Sequence, residues 1–282
     1  MTALVPRRLG VSIPTVPIAG AVAVAVLVIY ALAVAWPALL APADPLHTDL
    51  IRTLQAPSLQ HPFGTDRLGR DVLSRVVHGA RLSLLLGVAA TALAATVGAI
   101  LGLLAGLAGR VADAALSRLF DLLGSFPELL LALVLIAFTG PGTTNLILAV
   151  GIASVPRFAR VMRAETRAVA SRDYVFQAEL TTASRARIVW RHVVPNALGV
   201  LPMLVTIGLG TSILGAAALS FLGFGPRPPD PEWGSMLAES RGDLRVAWWA
   251  VTFPGVAITV TVIAAMVLGR SAQRRFERRV AR

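Results

Sequence analysis

LSLLLGVAATALAATVGAILGLLAGL, residues 82–107, is a run of 26 residues without a single charged side chain. A bilayer core about 30 Å thick requires about 20 apolar helical residues, so this stretch is predicted to be a transmembrane helix. Gly98, Gly102 and Gly106 repeat at every fourth position and would let another helix approach closely. We expect that face to pack within the chain, and a subunit interface is the alternative.

Five further stretches have the length and apolar character of membrane spans. They lie at about residues 18–40, 119–139, 143–162, 197–224 and 248–268. The composition agrees, because the 282 residues are 56% hydrophobic and only 15% charged, against about 25% charged in soluble domains. The apolar part of the first stretch exceeds 15 residues, which favours an uncleaved anchor over a signal peptide. The sequence predicts an all-α polytopic membrane protein with six transmembrane helices.

The distribution of arginine predicts the orientation in the membrane. All 26 basic residues are arginine; 18 fall on one side of the predicted spans and eight on the other. Basic residues are enriched on the cytoplasmic side. This places 1–17, the loop 163–196 and the tail 270–282 in the cytoplasm, with 41–81 and 225–247 outside. Residues 82–269 would form the five-helix core, with both termini cytoplasmic.

The residues that are absent exclude several functions. With no Lys, the chain lacks a phosphate-binding loop of the ATPase type, and with no Cys it lacks thiolate metal sites. The four His have no metal-ligand spacing. We therefore predict no catalytic residue, no metal and no cofactor bound by this chain. The arginine bias toward the cytoplasmic side accounts for the net charge of +11, so no nucleic-acid partner is predicted. The basic tail can contact membrane lipid.

Two places within the spans carry polar candidates. Ser125 and Glu128 have the spacing of a capping box, which predicts a helix start at the cytoplasmic surface. The alternative is a carboxylate that faces a translocation path. The fifth span is rich in small and hydroxyl residues and is the best candidate to line such a path, with close helix packing as the alternative. Its candidate residues are Thr206, Thr211, Ser212, Ala216 and Ser220.

SRDYVFQAELTTASRARIVWRHVVPN, residues 171–196, connects the fourth and fifth predicted spans. It is expected to form two short helices with a turn at 182–184, where Ser184 caps the second helix. Apolar side chains alternate with arginine and hydroxyl groups. Such helices can fit a groove on a partner protein or rest on the lipid surface.

The order of these residues resembles the cytoplasmic "EAA" loop of binding-protein-dependent ABC importer permeases. HPFGTDRLGRDVLSRVVHGARLSL (61–84), DLLGSFPELLLAL (121–133) and AALSFLGFGPRPPDPEWGSMLAESR (217–241) are similar to further blocks of dipeptide, oligopeptide and nickel permeases. The resemblance covers about residues 61–270 and points to the second permease subunit of such a system. The chain departs from the pattern at Phe176 and Gln177, which replace the Glu and first Ala, and at Thr182, which replaces the bend Gly.

The resemblance implies a type I ABC importer permease fold and a set of partners in a bacterial cytoplasmic membrane. The partners would be a second homologous permease, two ATPase domains that bind ATP and Mg²⁺, and an external substrate-binding protein. The ATPase-coupling residues would be Asp173, Tyr174, Phe176, Gln177, Ala178, Glu179, Thr182, Ala183, Ser184 and Arg187. Pro229, Trp233 and Gly234 would face the binding protein, and Trp233 could instead be an interfacial anchor.

Peptides are the cargo that this resemblance favours. The alternatives are nickel or another small chelate, and, further from the resemblance, a secondary transporter or a membrane assembly protein. A secondary transporter would usually show midspan ionisable groups and inverted repeats, and the sequence shows little of either.

Overall fold

The computed structural model describes the backbone of residues 16–180 and 184–280, and the side chains there except at 16–19, 179, 272 and 274–280. Within these ranges all regular structure is helical, apart from an isolated bridge between Thr65 and Asp71. The α-helices are α1 (Val16–Ala35), α2 (Pro37–Leu40), α3 (Val72–Leu107), α4 (Arg110–Gly124), α5 (Glu128–Thr139), α6 (Thr143–Ala170), α7 (Asp173–Leu180), α8 (Arg185–Ile188), α9 (Val194–Ala197), α10 (Leu201–Leu219), α11 (Trp233–Ser240) and α12 (Trp249–Val280).

Short irregular turns link several of these helices. Turns of 3₁₀ type occupy Leu50–Arg52, Leu198–Val200 and Arg241–Asp243, and π-helical turns occupy Val189–Val193 and Ser220–Phe224. As a result, α8, α9 and α10 form one continuous helical run, Arg185–Phe224, of 40 residues. The sequence predicted a fifth span that begins near residue 197, so the helical run starts about twelve residues earlier than expected.

Several helices are long and apolar enough to cross a membrane. Among the described residues they are Val72–Leu107, Thr143–Ala170, Arg185–Phe224 and Trp249–Ser271. The pair α4 and α5 would count as a fifth span if taken together, and Gly20–Ala35 is a shorter apolar helix. The all-α, multi-pass membrane architecture is therefore confirmed, whereas the count of six spans and the location of the termini stay predictions.

Two helices are longer than the sequence predicted. Helix α3 begins at Val72, ten residues before the predicted start at Leu82, because Oδ2 of Asp71 accepts a hydrogen bond from the Ser74 backbone N–H at 2.8 Å and caps the helix. Helix α6 continues eight residues beyond the predicted end at Met162. Its added turns are held by Arg163 and Arg167, which both pair with Asp113 of α4.

The third predicted span is not one straight helix, which corrects the sequence interpretation. Helices α4 and α5 meet at an angle of 88°. Pro127 lacks a backbone N–H and disfavours helical geometry at the residue before it, so the helix breaks there. A helix does start at Glu128 as predicted, but the capping box is wrong: the Ser125 hydroxyl donates to the Leu122 carbonyl, and no side chain caps α5.

The glycine face of α3 packs against α6 of the same chain, as predicted. A Cβ atom on Gly98 would lie 2.4 Å from the Cβ of Phe158, and one on Gly102 would lie 2.5 Å from the Cβ of Met162. Gly106 meets Thr166 in the same way. Close approach along this line places α6 at the centre of the bundle, between α3, α5 and α10.

Candidate functional site

The connection between α6 and α10 is anchored to the bundle by a few apolar side chains. We call α7, α8 and the π-helical turn after them the 173–193 segment. Val175, Ile188 and Val193 are buried in this segment and pack with Met162 and Ala197 of the bundle. Because these anchors lie on both halves of the segment, its orientation is fixed relative to α6 and α10.

The 173–193 segment also exposes large apolar side chains, which lie among polar residues such as Asp173 and Arg187. Phe176 is 62% exposed and Trp190 is 72% exposed, and Tyr174 and Leu180 are exposed as well. Phe176 and Leu180 are four residues apart and so share one face of α7. Exposed apolar surface of this kind marks a protein or membrane contact.

The other predicted coupling residues lie in or beside this segment. Asp173, Gln177, Ser184 and Arg187 are exposed, and Ala178 is half-buried. Ser184 does occupy the position before α8, but its side chain makes no capping hydrogen bond. Glu179 belongs to α7 with its side chain outside the described set, and Thr182 and Ala183, which carry the predicted bend, lie outside the described residues.

A polar cluster joins α5, α6 and α10. The Glu128 carboxylate accepts a hydrogen bond from the Ser154 hydroxyl. Its other oxygen lies 3.8 Å from Nη1 of Arg157, and Nη2 of Arg157 donates to the Thr211 hydroxyl at 2.8 Å. We call these four residues the Glu128–Arg157 cluster. The Glu128 and Arg157 side chains are 37% and 35% exposed, so the cluster opens on a surface of this chain.

The predicted path residues on α10 divide into two groups. Thr211 belongs to the cluster, and Thr206 is half-buried with its hydroxyl donated to the Pro202 carbonyl. Ser212, Ala216 and Ser220 are buried against the chain's own helices. The structure therefore corrects the expectation that all five line an open face, because burial within the subunit leaves those three no open surface.

The predicted binding-protein side also needs correction. Trp233 is completely buried, and its indole N–H donates to the Val76 carbonyl at 2.9 Å. Gly234 is buried as well, and a Cβ there would lie 2.5 Å from the Ala217 carbonyl oxygen. Neither residue offers a contact surface, and Trp233 is no interfacial anchor. Pro229 is exposed.

Trp233 and Gly234 instead help to fix α11 against α3. Glu232, almost fully buried, accepts hydrogen bonds from the backbone N–H groups of Gly234 and Ser235, each at 2.8 Å, and one from the Ser83 hydroxyl at 3.2 Å. Burial raises the pKa of Glu232 above its ordinary value, and the backbone hydrogen bonds offset part of that rise. The carboxylate thus caps α11 and ties it to α3.

An ion-pair network reinforces the same junction. Arg70 contacts Asp66 at 2.7 Å and Glu239 of α11 at 2.8 Å. Arg75, on the first turn of α3, is 1% exposed and donates to Glu239 at 3.2 Å. Because the two arginines share Glu239, the loop before α3, α3 itself and α11 are held as one unit.

Residues 98–282 match the family described as binding-protein-dependent transport system inner membrane component. The chain belongs to this family. It is accordingly the permease subunit of an ABC importer, a membrane component of a transport complex and not itself the ATPase.

Named relatives are similar to this permease over most of its length. It is 42% identical over 216 residues to a dipeptide transport system permease of Alkalihalophilus pseudofirmus, covering 77% of this chain and 71% of the relative. A di/tripeptide permease of Pseudomonas aeruginosa is 43% identical, with 73% and 68% covered. A glutathione permease of Pectobacterium atrosepticum is 39% identical, with 88% and 83% covered.

A solved structure supports the fold. The permease superposes on a chain from the crystal structure of an amino acid ABC transporter with histidines at a TM-score of 0.57 and 15% identity. The match covers 71% of this permease and 94% of that chain. At this identity the likeness concerns the fold alone.

Sequence reasoning missed two residues of the candidate site. Arg157 was assigned to the cytoplasmic charge, although it lies in the middle of α6 beside Ser154. The signal was available, because Arg157 lies inside the predicted fourth span, 143–162, where charged residues are rare. Trp190 was not among the apolar residues singled out in this loop, and it lies 72% exposed in the π-helical turn Val189–Val193.

Proposed function

We propose that this permease forms half of the translocation path of a peptide importer. A second, homologous permease would supply the other half. Two ATPase domains with ATP and Mg²⁺ would drive transport from the cytoplasm, and an external binding protein would deliver the cargo. The transporter would lie in the cytoplasmic membrane of a bacterium, with both termini of this permease in the cytoplasm. Peptides are favoured because relatives at 42% and 43% identity are named for dipeptide and di/tripeptide transport.

The observation that carries this proposal is the group of exposed apolar side chains on the 173–193 segment. Phe176, Leu180 and Trp190 lie on the surface while Val175, Ile188 and Val193 hold the segment to the bundle. A groove on an ATPase domain would cover the exposed side chains. Movement of that groove would then pass to α6 and α10 through the buried anchors, as a rigid-body shift of packed helices.

A charge placed among these exposed side chains tests the docking role. Phe176→Asp should remove the ATPase from the purified complex and abolish uptake, because a carboxylate would have to be buried without a partner. Val111→Asp is the matched control, since Val111 is an exposed apolar residue of α4, 85% exposed, outside the 173–193 segment. The measurement is ATPase co-purification with the tagged permease, followed by uptake in proteoliposomes.

The proposal requires that Phe176→Asp and Val111→Asp differ in ATPase co-purification and in uptake. If Phe176→Asp retains the ATPase in the same ratio as Val111→Asp and still supports uptake, the 173–193 segment is not the docking site. Mass spectrometry of the wild-type complex gives the partner composition independently. Recovery of a second permease, ATPases and a binding protein that carries peptide supports the whole assignment.

A further inference from the structure

The Glu128–Arg157 cluster lies at a depth where charged groups are rare. Glu128 is eleven residues before the outer end of α5 at Thr139, and Arg157 is fourteen residues after Thr143. At 1.5 Å per residue these separations are about 17 and 21 Å. Both fall inside a hydrocarbon core about 30 Å thick. With Thr139 and Thr143 taken as the outer boundary of the membrane in the proposed topology, the cluster falls within the membrane, toward its cytoplasmic half.

Apolar side chains surround the cluster, and the cluster itself is partly exposed on the same surface. Ile207 and Leu214, one turn on either side of Thr211, are 37% and 55% exposed. An intramembrane arginine and glutamate with one third of their surface exposed would be costly against lipid tails, so such groups face a protein neighbour or a water-filled cavity. This face of α5, α6 and α10 is thus turned to the interior of the assembled transporter.

The contacts within the cluster leave Arg157 with unused binding capacity. A guanidinium group has five N–H donors in a planar fork that matches a carboxylate. Within the part of the chain that the structure describes, Thr211 alone takes a hydrogen bond from it, and Glu128 is held by Ser154 at 3.8 Å from Arg157. At that distance the pair is an ionic contact rather than a hydrogen bond.

We propose that Arg157, oriented by Thr211, binds the free carboxylate of a peptide substrate during its passage, with Glu128 as the counter-ion between passages. This inference rests on the proposed function. A free carboxylate is common to dipeptides, tripeptides and glutathione, which are the substrates in the names of the relatives. A carboxylate that replaces the long contact to Glu128 would gain two charge-assisted hydrogen bonds from the arginine fork.

The test is uptake by the complete transporter in proteoliposomes, with radiolabelled L-alanyl-L-alanine supplied with the binding protein. Arg157→Gln should lower the initial rate of uptake about 10-fold or more, because a charge-assisted site is lost. Arg157→Lys, which keeps the charge but loses the fork, should be intermediate. Arg160→Gln is the matched control: it removes the same charge one turn along α6 and should stay within about twofold of wild type.

The double variant Glu128→Gln/Arg157→Gln separates substrate binding from a purely structural ion pair. If Arg157 binds substrate, the double variant stays as slow as Arg157→Gln alone. Recovery of uptake in the double variant would overturn the inference, because the defect would then come from an unpaired Glu128. Equal rates for Arg157→Gln and Arg160→Gln would overturn it as well, and so would loss of the second permease from the Arg157→Gln complex. Absence of ATP-dependent dipeptide uptake by the wild-type transporter would instead count against the proposed function.

Discussion

Alanine at Gly102 should destabilise the permease although it adds only one methyl group. The new Cβ would lie 2.5 Å from the Cβ of Met162 and 2.6 Å from the carbonyl oxygen of Ala159. Carbon atoms in good contact are about 3.5–4.0 Å apart, so α3 and α6 would have to separate by about 1 Å at this point. Both close atoms are near or on the backbone of α6, so no side-chain rotation can relieve the overlap.

The expected size follows from core substitutions of this kind. Overpacking a well-filled interface costs about 1–3 kcal/mol. In a chain of this length each kcal/mol lowers the midpoint of thermal unfolding by about 2–4 °C. The midpoint of Gly102→Ala should therefore lie about 2–12 °C below that of a helical Gly→Ala variant without such an overlap. It is measured by intrinsic fluorescence of the detergent-solubilised permease during heating.

Gly20→Ala provides the control. A Cβ on Gly20 in α1 would have no atom within 4 Å. Alanine is favoured over glycine in a helix by about 0.5–1 kcal/mol, so this variant should match wild type or unfold slightly higher. Equal midpoints for Gly102→Ala and Gly20→Ala would refute the reasoning that the glycine face of α3 is in direct contact with α6.

Three further outcomes are expected. Trp233→Ala should lower the unfolding midpoint more than any surface variant, because it empties a fully buried site at a typical loss of about 3–5 kcal/mol; the same heating assay checks it. Asp113→Asn should weaken the packing of α4 on α6, because Arg163 and Arg167 would lose their shared carboxylate; faster limited proteolysis after residue 110 is the measurement. Glu232 has a raised pKa, so the folded protein holds this proton more tightly than the unfolded chain does. The stabilisation that Glu232 contributes to the folded state should therefore fall as the pH rises from the ordinary pKa of 4.5 through the raised pKa. Glu232→Gln should remove this pH dependence from unfolding midpoints measured between pH 4 and 8.

The long apolar runs were readable from sequence because membrane spans are set by length and hydropathy, which need no tertiary information. The glycine spacing of α3 likewise predicted close packing within the chain, and Phe158 and Met162 confirm it. Helix ends were predicted less well. The start of α3 depends on Asp71 capping Ser74, and the extension of α6 depends on Asp113, which is about 50 residues away in sequence.

Side-chain orientation was the main limit at the candidate site. Trp233 and Gly234 lie in a polar, proline-rich stretch that reads as a surface loop, yet Ser83, Val76 and Ala217 enclose them. Ser212 is fully buried while its neighbour Thr211 is half-buried, and this difference is set by how α10 packs against the other helices. Spacing of three or four residues identifies one face of a helix, but distant parts of the sequence decide what packs against that face.

The part of the helical run from Ile188 to Thr211, which includes one π-helical and one 3₁₀ turn, can act as a lever arm. Ile188, anchored near one end, is 23 residues from Thr211, a span of about 35 Å along the helix axis. A tilt of about 5° about the Ile188 end would displace Thr211 by about 3 Å at that radius. That displacement is as large as the 2.8 Å separation between Thr211 and Arg157. A small change in the angle of this helix at Ile188 would therefore be enough to make or break the Thr211–Arg157 hydrogen bond.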